Sequence, residues 1–325
     1  MNQSSLSLPS FAKLNWSLQI LGKRPDGYHE VSTLLQTISL RDQLHFELSE
    51  NSAISLSCDE PSIPADDRNL IVRAGNALKA RYRVDQGARI RLEKKIPSKA
   101  GLGSGSANAA VGLLALTHLW KIEATAPVLI EIAASLGADV PFFLVGGCAL
   151  ATGTGATVSP LPDPETNEPR HLVVITPNAS VSTAEAYARL SCAALTSAQS
   201  ESILSSSHYE ANSRHSQPWP LRAEWKNYLQ DGLQNDFESV IFDIEPEIGR
   251  TKETLLQAGA LGALLAGSGS SVFGIFADQE DQQRALSEIK PEAGWRIFAC
   301  VTVSRNEYQR ALGSLDGSFL RSFNL

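Results

Sequence analysis

The chain lacks several features that would place it quickly. No run of apolar residues reaches the length needed to span a bilayer. The first ten residues, MNQSSLSLPS, have neither the basic start nor the apolar stretch of a secretory signal. The four cysteines, Cys58, Cys148, Cys192 and Cys300, stand far apart and form no CxxC pair. That pattern supports neither a disulfide framework nor a zinc site. No HExxH and no His-x-x-x-His pair points to a metal centre. Basic excess is also missing: the net charge is -7 and the pI about 5.5. Such a chain has no general electrostatic hold on a nucleic-acid backbone. A cytoplasmic protein with no membrane or nucleic-acid partner is the expectation.

What remains is ample material for a folded core. Of 325 residues, 43% are hydrophobic and 19% charged, enough for one large domain or two moderate ones. Leu14, Trp16, Leu18 and Ile20 alternate with polar residues, as a half-buried strand does. Leu44 to Leu48 and Ala88 to Leu92 repeat that period. Helical spacing covers 69–82, 106–120 and 126–136, the last closed by Gly137. Turn residues within 150–161 suit a pair of strands, and 171–176 reads as a buried strand. The polar, proline-bearing stretch 163–169 sets a boundary between units 1–168 and 169–325. Beyond it, 191–220 shows no sustained period and is expected to be a loop. Helices are expected at 221–230, 236–242, 246–258 and 279–289. Short apolar runs at 263–266 and 272–276 flank a glycine turn, and 295–303 closes as a strand. Elements mix without a βαβ repeat, so the fold class is α+β.

Four segments carry chemistry. Pro97 to Ser106, PSKAGLGSGS, follows a strand and runs into a helix. Gly101, Gly103 and Gly105 let main-chain N–H groups approach a ligand. The helix start adds free donors and the positive end of its dipole, with Ser104 and Ser106 as hydroxyl donors or caps. A polyphosphate fits such a loop, and so does a plain flexible turn. The loop is neither a Walker A motif nor a dinucleotide fingerprint. Lys99, at its edge, can reach a phosphate. Asp139, in GADVPFF, either accepts a proton from a substrate hydroxyl or caps a short helix begun by Pro141. Lys13 and Asn15 share one strand face, about 7 Å apart, and either serve a site or face solvent. Pro25 to Glu30 begins as a turn, where Tyr28 offers a flat ring and His29 ring donors and acceptors, or simple surface.

Taken singly, each of these segments stays open; their order along the chain is distinctive. AKLN (12–15), RPDGYHE (24–30), RNLIVRA (68–74), GLGSGSANAA (101–110), LGADVPFF (136–143), NDFE (235–238) and AGSGSSVFG (266–274) follow one another along nearly the whole chain. The series resembles the GHMP kinase superfamily. AKLN and DGYH narrow it to the members that phosphorylate 4-diphosphocytidyl-2-C-methyl-D-erythritol for non-mevalonate isoprenoid synthesis. That resemblance implies a two-domain fold with the active site in the cleft between them, ATP with Mg²⁺, and a small cytidine-diphosphate-linked alcohol as acceptor. A monomer or weak homodimer is expected.

By the same resemblance, Asp139 matches the general base and Lys13 its partner. Asn15, Tyr28, His29 and Tyr187 match acceptor-binding positions, the last three around the cytosine. Gly101, Leu102, Gly103, Ser104, Gly105 and Ser106 would wrap the ATP phosphates, Asn69 and Lys99 match positions near the adenosine, and Ala100 is counted with them as nucleotide-binding. Gly267, Ser268 and Gly269, with Ser270, would border the transferring phosphate. The chain departs from the family in placing Lys99, Ala100 and Ser104 where glycine is usual, and 191–220 is longer than usual. Mevalonate-type and homoserine-type kinases, and a non-catalytic nucleotide-binding relative, are the competing readings.

Overall fold

The computed structural model describes residues 5–163, 168–190, 233–313, 315 and 323. The expected loop at 191–220, the expected helix at 221–230 and Cys192 lie outside the described residues. Strand β1 runs Ser5–Lys23 and pairs antiparallel with β2, His29–Ser49. Both are much longer than their alternating cores suggested. Pro9 breaks the sequence signal, yet its Cα partner Gln43 stays in register. The register then shifts between Phe11 and Ala12, and again between Asn15 and Ser17. Such bulges turn a strand and re-aim its side chains, and here they flank Lys13 and Asn15.

Among the described residues the first sheet has seven strands. Its main order is β3 (Ile54–Cys58), β4 (Gly87–Glu93), β2, β1 and β8 (Gln234–Asn235), with β5 (Cys148–Gly153) and β6 (Thr157–Pro160) added beside β2. The expected strand pair at 150–161 is this β5–β6 ladder. Helices α1 (Leu70–Tyr82), α2 (Ser104–Leu119), α3 (Ala126–Leu136) and the short α4 (Phe142–Val145) contribute to the first core with Leu8, Leu44, Phe46 and Ile90 of the sheet. Helix α2 is apolar around almost its whole circumference, as a central helix must be.

A second sheet, four-stranded among the described residues, has the order β11 (Arg296–Val301), β7 (His171–Thr176), β10 (Val272–Phe276), β9 (Gly262–Leu265). Around it are α5 (Thr183–Arg189), α6 (Glu238–Ile244), α7 (Pro246–Gln257) and α8 (Gln279–Glu288). Helix α9 (Arg305–Ala311) returns to the first core through Tyr308. Further connections cross the boundary expected at 163–169. Strand β8 belongs to the first sheet, and a separate apolar cluster joins the sheets, with Trp16 edge-on to Phe273 at 5.6 Å. Cys58, Cys148 and Cys300 are free thiols. Among the described residues no helix is long and apolar enough to cross a membrane.

Candidate active site

Two glycine turns meet at the centre of the molecule. Gly101 has φ +76°, and a Cβ on it would lie 1.8 Å from the Ala266 carbonyl oxygen. Gly267, at φ +55°, faces back: its Cβ would lie 3.1 Å from the Gly101 oxygen and 3.2 Å from Lys13 Nζ. The Ser271 N–H donates to the Ala100 carbonyl at 3.1 Å, and the Lys13 N–H to the Leu102 carbonyl at 3.0 Å. Only glycine allows main chains this close. The sequence thus draws a loop from each half onto the ammonium of Lys13.

Lys13 and Asn15 are buried, at 3% and 2% exposure, so the solvent-facing alternative for this strand face fails. The loops cover it. Lys13 Nζ donates to Asn15 Oδ1 at 2.9 Å and lies 3.5 Å from Asp139 Oδ2. Asn15 in turn donates to Thr33 Oγ1 at 2.7 Å, and that hydroxyl to the Ser17 carbonyl. Asp139 keeps 37% of its side chain exposed. It does not cap α4: the cap position is Pro141, without a side-chain bond. A half-open carboxylate beside a buried ammonium can take a proton from a hydroxyl brought into the opening.

Helix α2 begins one turn's fraction earlier than expected, at Ser104, after Gly103 with φ +72°. No side chain caps it and no acid occupies its first turn. Neither Ser104 nor Ser106 is therefore a cap. The first amides have no helical acceptor and stay available to an anion. Ser104 turns inward: its hydroxyl meets Lys94 Nζ at 2.6 Å and Asp42 Oδ2 at 3.2 Å. Lys99 takes a left-handed conformation, φ +55°, with an exposed side chain. Asn69 caps α1, accepting from the Ile71 N–H at 2.9 Å and donating to the Pro64 carbonyl at 2.8 Å.

The turn after β1 is braced by Arg24, whose guanidinium reaches the fully buried Glu30 at 2.7 Å. Tyr28 is 66% exposed. His29 stacks on Tyr187, ring centroids 4.4 Å apart, and Tyr187 meets Phe237 edge-on at 4.9 Å. Burial, then the Lys23 charge, lowers the His29 pKa from its ordinary value. Ser268 bonds Thr183 at 2.8 Å, tying the second glycine turn to α5, which carries Tyr187.

Sequence reading missed Asp42, Lys94, Phe237 and Thr183. Phe237 stood within the quoted NDFE segment. The other three had no local signal. The expected residues fall into two neighbourhoods: Lys13, Asn15, Asp139 and the two glycine turns in one, Tyr28, His29 and Tyr187 in the other. Asn69 caps α1, whose first residue, Leu70, lies against Gly105 of the first glycine turn: a Cβ there would meet Leu70 Cδ1 at 3.7 Å.

Two main chains crossing on a lysine, an open carboxylate and an uncapped helix define a GHMP-type small-molecule kinase site. The chain matches the GHMP kinases N terminal domain over residues 69–147 and the GHMP kinases C terminal domain over 221–294. It is 40% identical over 283 residues to the 4-diphosphocytidyl-2-C-methyl-D-erythritol kinase of Pelotomaculum thermopropionicum, covering 86% of this chain and 92% of that one. Identity to the enzyme of the same name from Synechococcus sp. is 41%, covering 86% and 87%. A crystal structure of 4-(cytidine 5'-diphospho)-2C-methyl-D-erythritol kinase superposes with TM-score 0.68 at 31% identity, covering 91% of this chain and 99% of that one. A homoserine kinase from Cytophaga hutchinsonii shares the fold, with TM-score 0.65 at 21% identity, covering 92% and 96%. The chain belongs to the 4-diphosphocytidyl-2-C-methyl-D-erythritol kinase family of GHMP kinases.

Proposed function

We propose that this protein transfers the γ-phosphoryl group of ATP to the 2-hydroxyl of 4-diphosphocytidyl-2-C-methyl-D-erythritol, in non-mevalonate isoprenoid precursor synthesis. The observation that carries the reading is the 3.5 Å approach of Lys13 to Asp139 beside the crossed glycine turns. Phosphoryl transfer asks a protein mainly for positioning and charge neutralisation. Asp139 takes the hydroxyl proton as that oxygen bonds to phosphorus, and ADP leaves. Lys13 faces the negative charge gathered there, and Asn15 orients both Lys13 and the alcohol.

The amides of 101–106 receive the phosphates, with Leu102, Gly103 and Gly105 approaching through the backbone. Ser104 contributes its N–H, since its hydroxyl is engaged inward. Lys99 and Ala100 border the nucleotide, Lys99 with its free-reaching charge. Asn69 shapes the adenosine side by fixing the start of α1. Gly267, Ser268 and Gly269 close over the reacting phosphate.

Mg²⁺ accompanies ATP in this reading. Among the described residues no group of three or more His, Cys, Asp or Glu side chains gathers as a metal cage. The ion would therefore draw on triphosphate oxygens, water and at most Asp139 or Ser106, as Mg²⁺ commonly does. It would neutralise phosphate charge.

Cytosine takes the ring platform. The 4.4 Å stack of His29 on Tyr187 leaves no gap for a third ring. The base stacks on the open ring of Tyr28, or on Tyr187 with His29 turned aside. The site lies between an N-terminal unit, 1–168, and a C-terminal unit, 169–325. A cytoplasmic enzyme, monomeric or weakly dimeric, is part of this reading; three free thiols among the described residues suit a reducing compartment. Offering the cytidine acceptor, mevalonate and homoserine in turn, each with ATP, and following ADP release tests the assignment. Turnover of the first alone is expected; turnover of only the other two overturns it.

A further inference from the structure

Asn235 has no part in the chemistry above, yet it touches both ends of the acceptor site. Its carboxamide is buried, at 5% exposure, and both amide hydrogens are committed. Nδ2 donates to the Leu265 carbonyl at 2.8 Å and to the Gly267 carbonyl at 2.7 Å. Oδ1 accepts the Phe237 N–H at 3.0 Å. One side of this small group thus holds the glycine turn that faces Lys13. The other side fixes the main chain of Phe237, whose ring supports Tyr187 edge-on, and through it His29.

The backbone of the same segment adds a third anchor. Asn235 pairs with Leu18 of β1, the strand that carries Lys13 and Asn15. The next residue locks that register: the Asp236 N–H donates to the Leu18 carbonyl at 3.0 Å, and Asp236 Oδ2 accepts the Ile20 N–H at 2.7 Å. Asparagine suits this post because a planar amide donates twice on one side and accepts on the other.

We propose that Asn235 is a positioning residue that sets the separation between the ring platform and the phosphate-transfer turn. It thereby selects an acceptor whose flat base and reacting hydroxyl stand at that separation. This rests on the acceptor reading given above. A merely structural asparagine would, when changed, lower the folded fraction and leave the kinetic constants of the folded fraction alone. A positioning residue separates them.

The test compares steady-state kinetics for the cytidine acceptor in the wild type, Asn235→Asp and Phe237→Leu. Rates are normalised to the fraction of protein that binds an ATP analogue. Asn235→Asp keeps the acceptor for the Phe237 N–H but sets a carboxylate oxygen against two carbonyls, so the Gly267 turn moves while the platform stays. Its kcat is expected to fall about 10- to 100-fold, with the acceptor KM changed less than about threefold. Phe237→Leu keeps the bonds to Gly267 and strips the ring edge. Its acceptor KM is expected to rise about tenfold with kcat little changed. If Asn235→Asp is too unstable to assay, Asn235→Ser keeps a hydroxyl acceptor for Phe237, loses the paired donors, and should give the same split. A wild-type kcat in the asparagine variants, or both constants moving together in each variant, overturns the positioning role. A wild type that ignores the cytidine acceptor overturns the acceptor assignment and this role with it.

Discussion

The ammonium of Lys13 stands 3.5 Å from the carboxylate of Asp139 and 2.9 Å from the carboxamide oxygen of Asn15. Lys13 is buried while Asp139 remains partly open. The open member of the pair is the one placed to receive a proton. Asp139→Asn keeps the shape and removes the base. It should bind an ATP analogue as the wild type does while kcat falls by about 10²- to 10⁴-fold. Single-turnover phosphoryl transfer checks this, and an unchanged rate would assign the proton to another group.

Gly101 offers a steric test of the crossed turns. A Cβ on it would overlap the Ala266 carbonyl oxygen, and its φ of +76° is itself costly for any other residue. Gly101→Ala should push the two turns apart and break the Ser271 to Ala100 bond. The expected result is a lower melting temperature and at least about a tenfold loss of ATP affinity, from about 1–2 kcal/mol of backbone strain plus displaced amides. Calorimetric titration with an ATP analogue measures the second effect.

The contrast between these two sites shows what was legible in the sequence. Glycine spacing and chain order pointed to both turns, because a positive φ and a close main-chain approach demand glycine locally. Alternation placed Lys13 and Asn15 on one face, but not that the face is covered, since its cover comes from loops at 101–103 and 267. The full length of β1 was hidden by Pro9 and three register shifts, which erase a period of two. Helix ends at Ser104 and Glu238 differ from the expected starts because the caps are backbone conformations, not side-chain caps. Asp42 was invisible because every group that binds it lies more than fifty residues along the chain.

Asp42 illustrates how costly such a hidden group is to disturb. Fully buried, it accepts from Lys94 Nζ at 2.7 Å, from Asn108 Nδ2 at 3.0 Å and from the Lys95 and Ile96 N–H groups at 2.8 Å each. It therefore staples the strand entering the phosphate loop to the helix leaving it. Asp42→Ala strands the Lys94 ammonium in the interior and should cost about 3–5 kcal/mol in urea unfolding. Removing both charges, as Asp42→Asn with Lys94→Met, should recover a large part of that loss. A double variant no more stable than Asp42→Ala would show that the lost stability lies in the hydrogen bonds, not in the stranded charge.

His29 gives a pH-dependent signature at the other end of the site. Burial against Tyr187 disfavours its charged form, and the Lys23 charge adds to this, so its pKa lies below the ordinary histidine value of about 6.5. The unfolded chain then binds this proton more readily than the folded one, so the group's contribution to stability is complete above 6.5 and declines as pH falls below it. Histidine C–H resonances followed by NMR should place the His29 midpoint under 6.5. Lys23→Gln removes the smaller, charge-based cause and should move the midpoint upward without restoring it fully. Opening the ring stack with Tyr187→Ala removes part of the larger cause and should move it further in the same direction. A midpoint in the wild type at or above 6.5, or one indifferent to both substitutions, would mean that His29 is not held against the platform in solution.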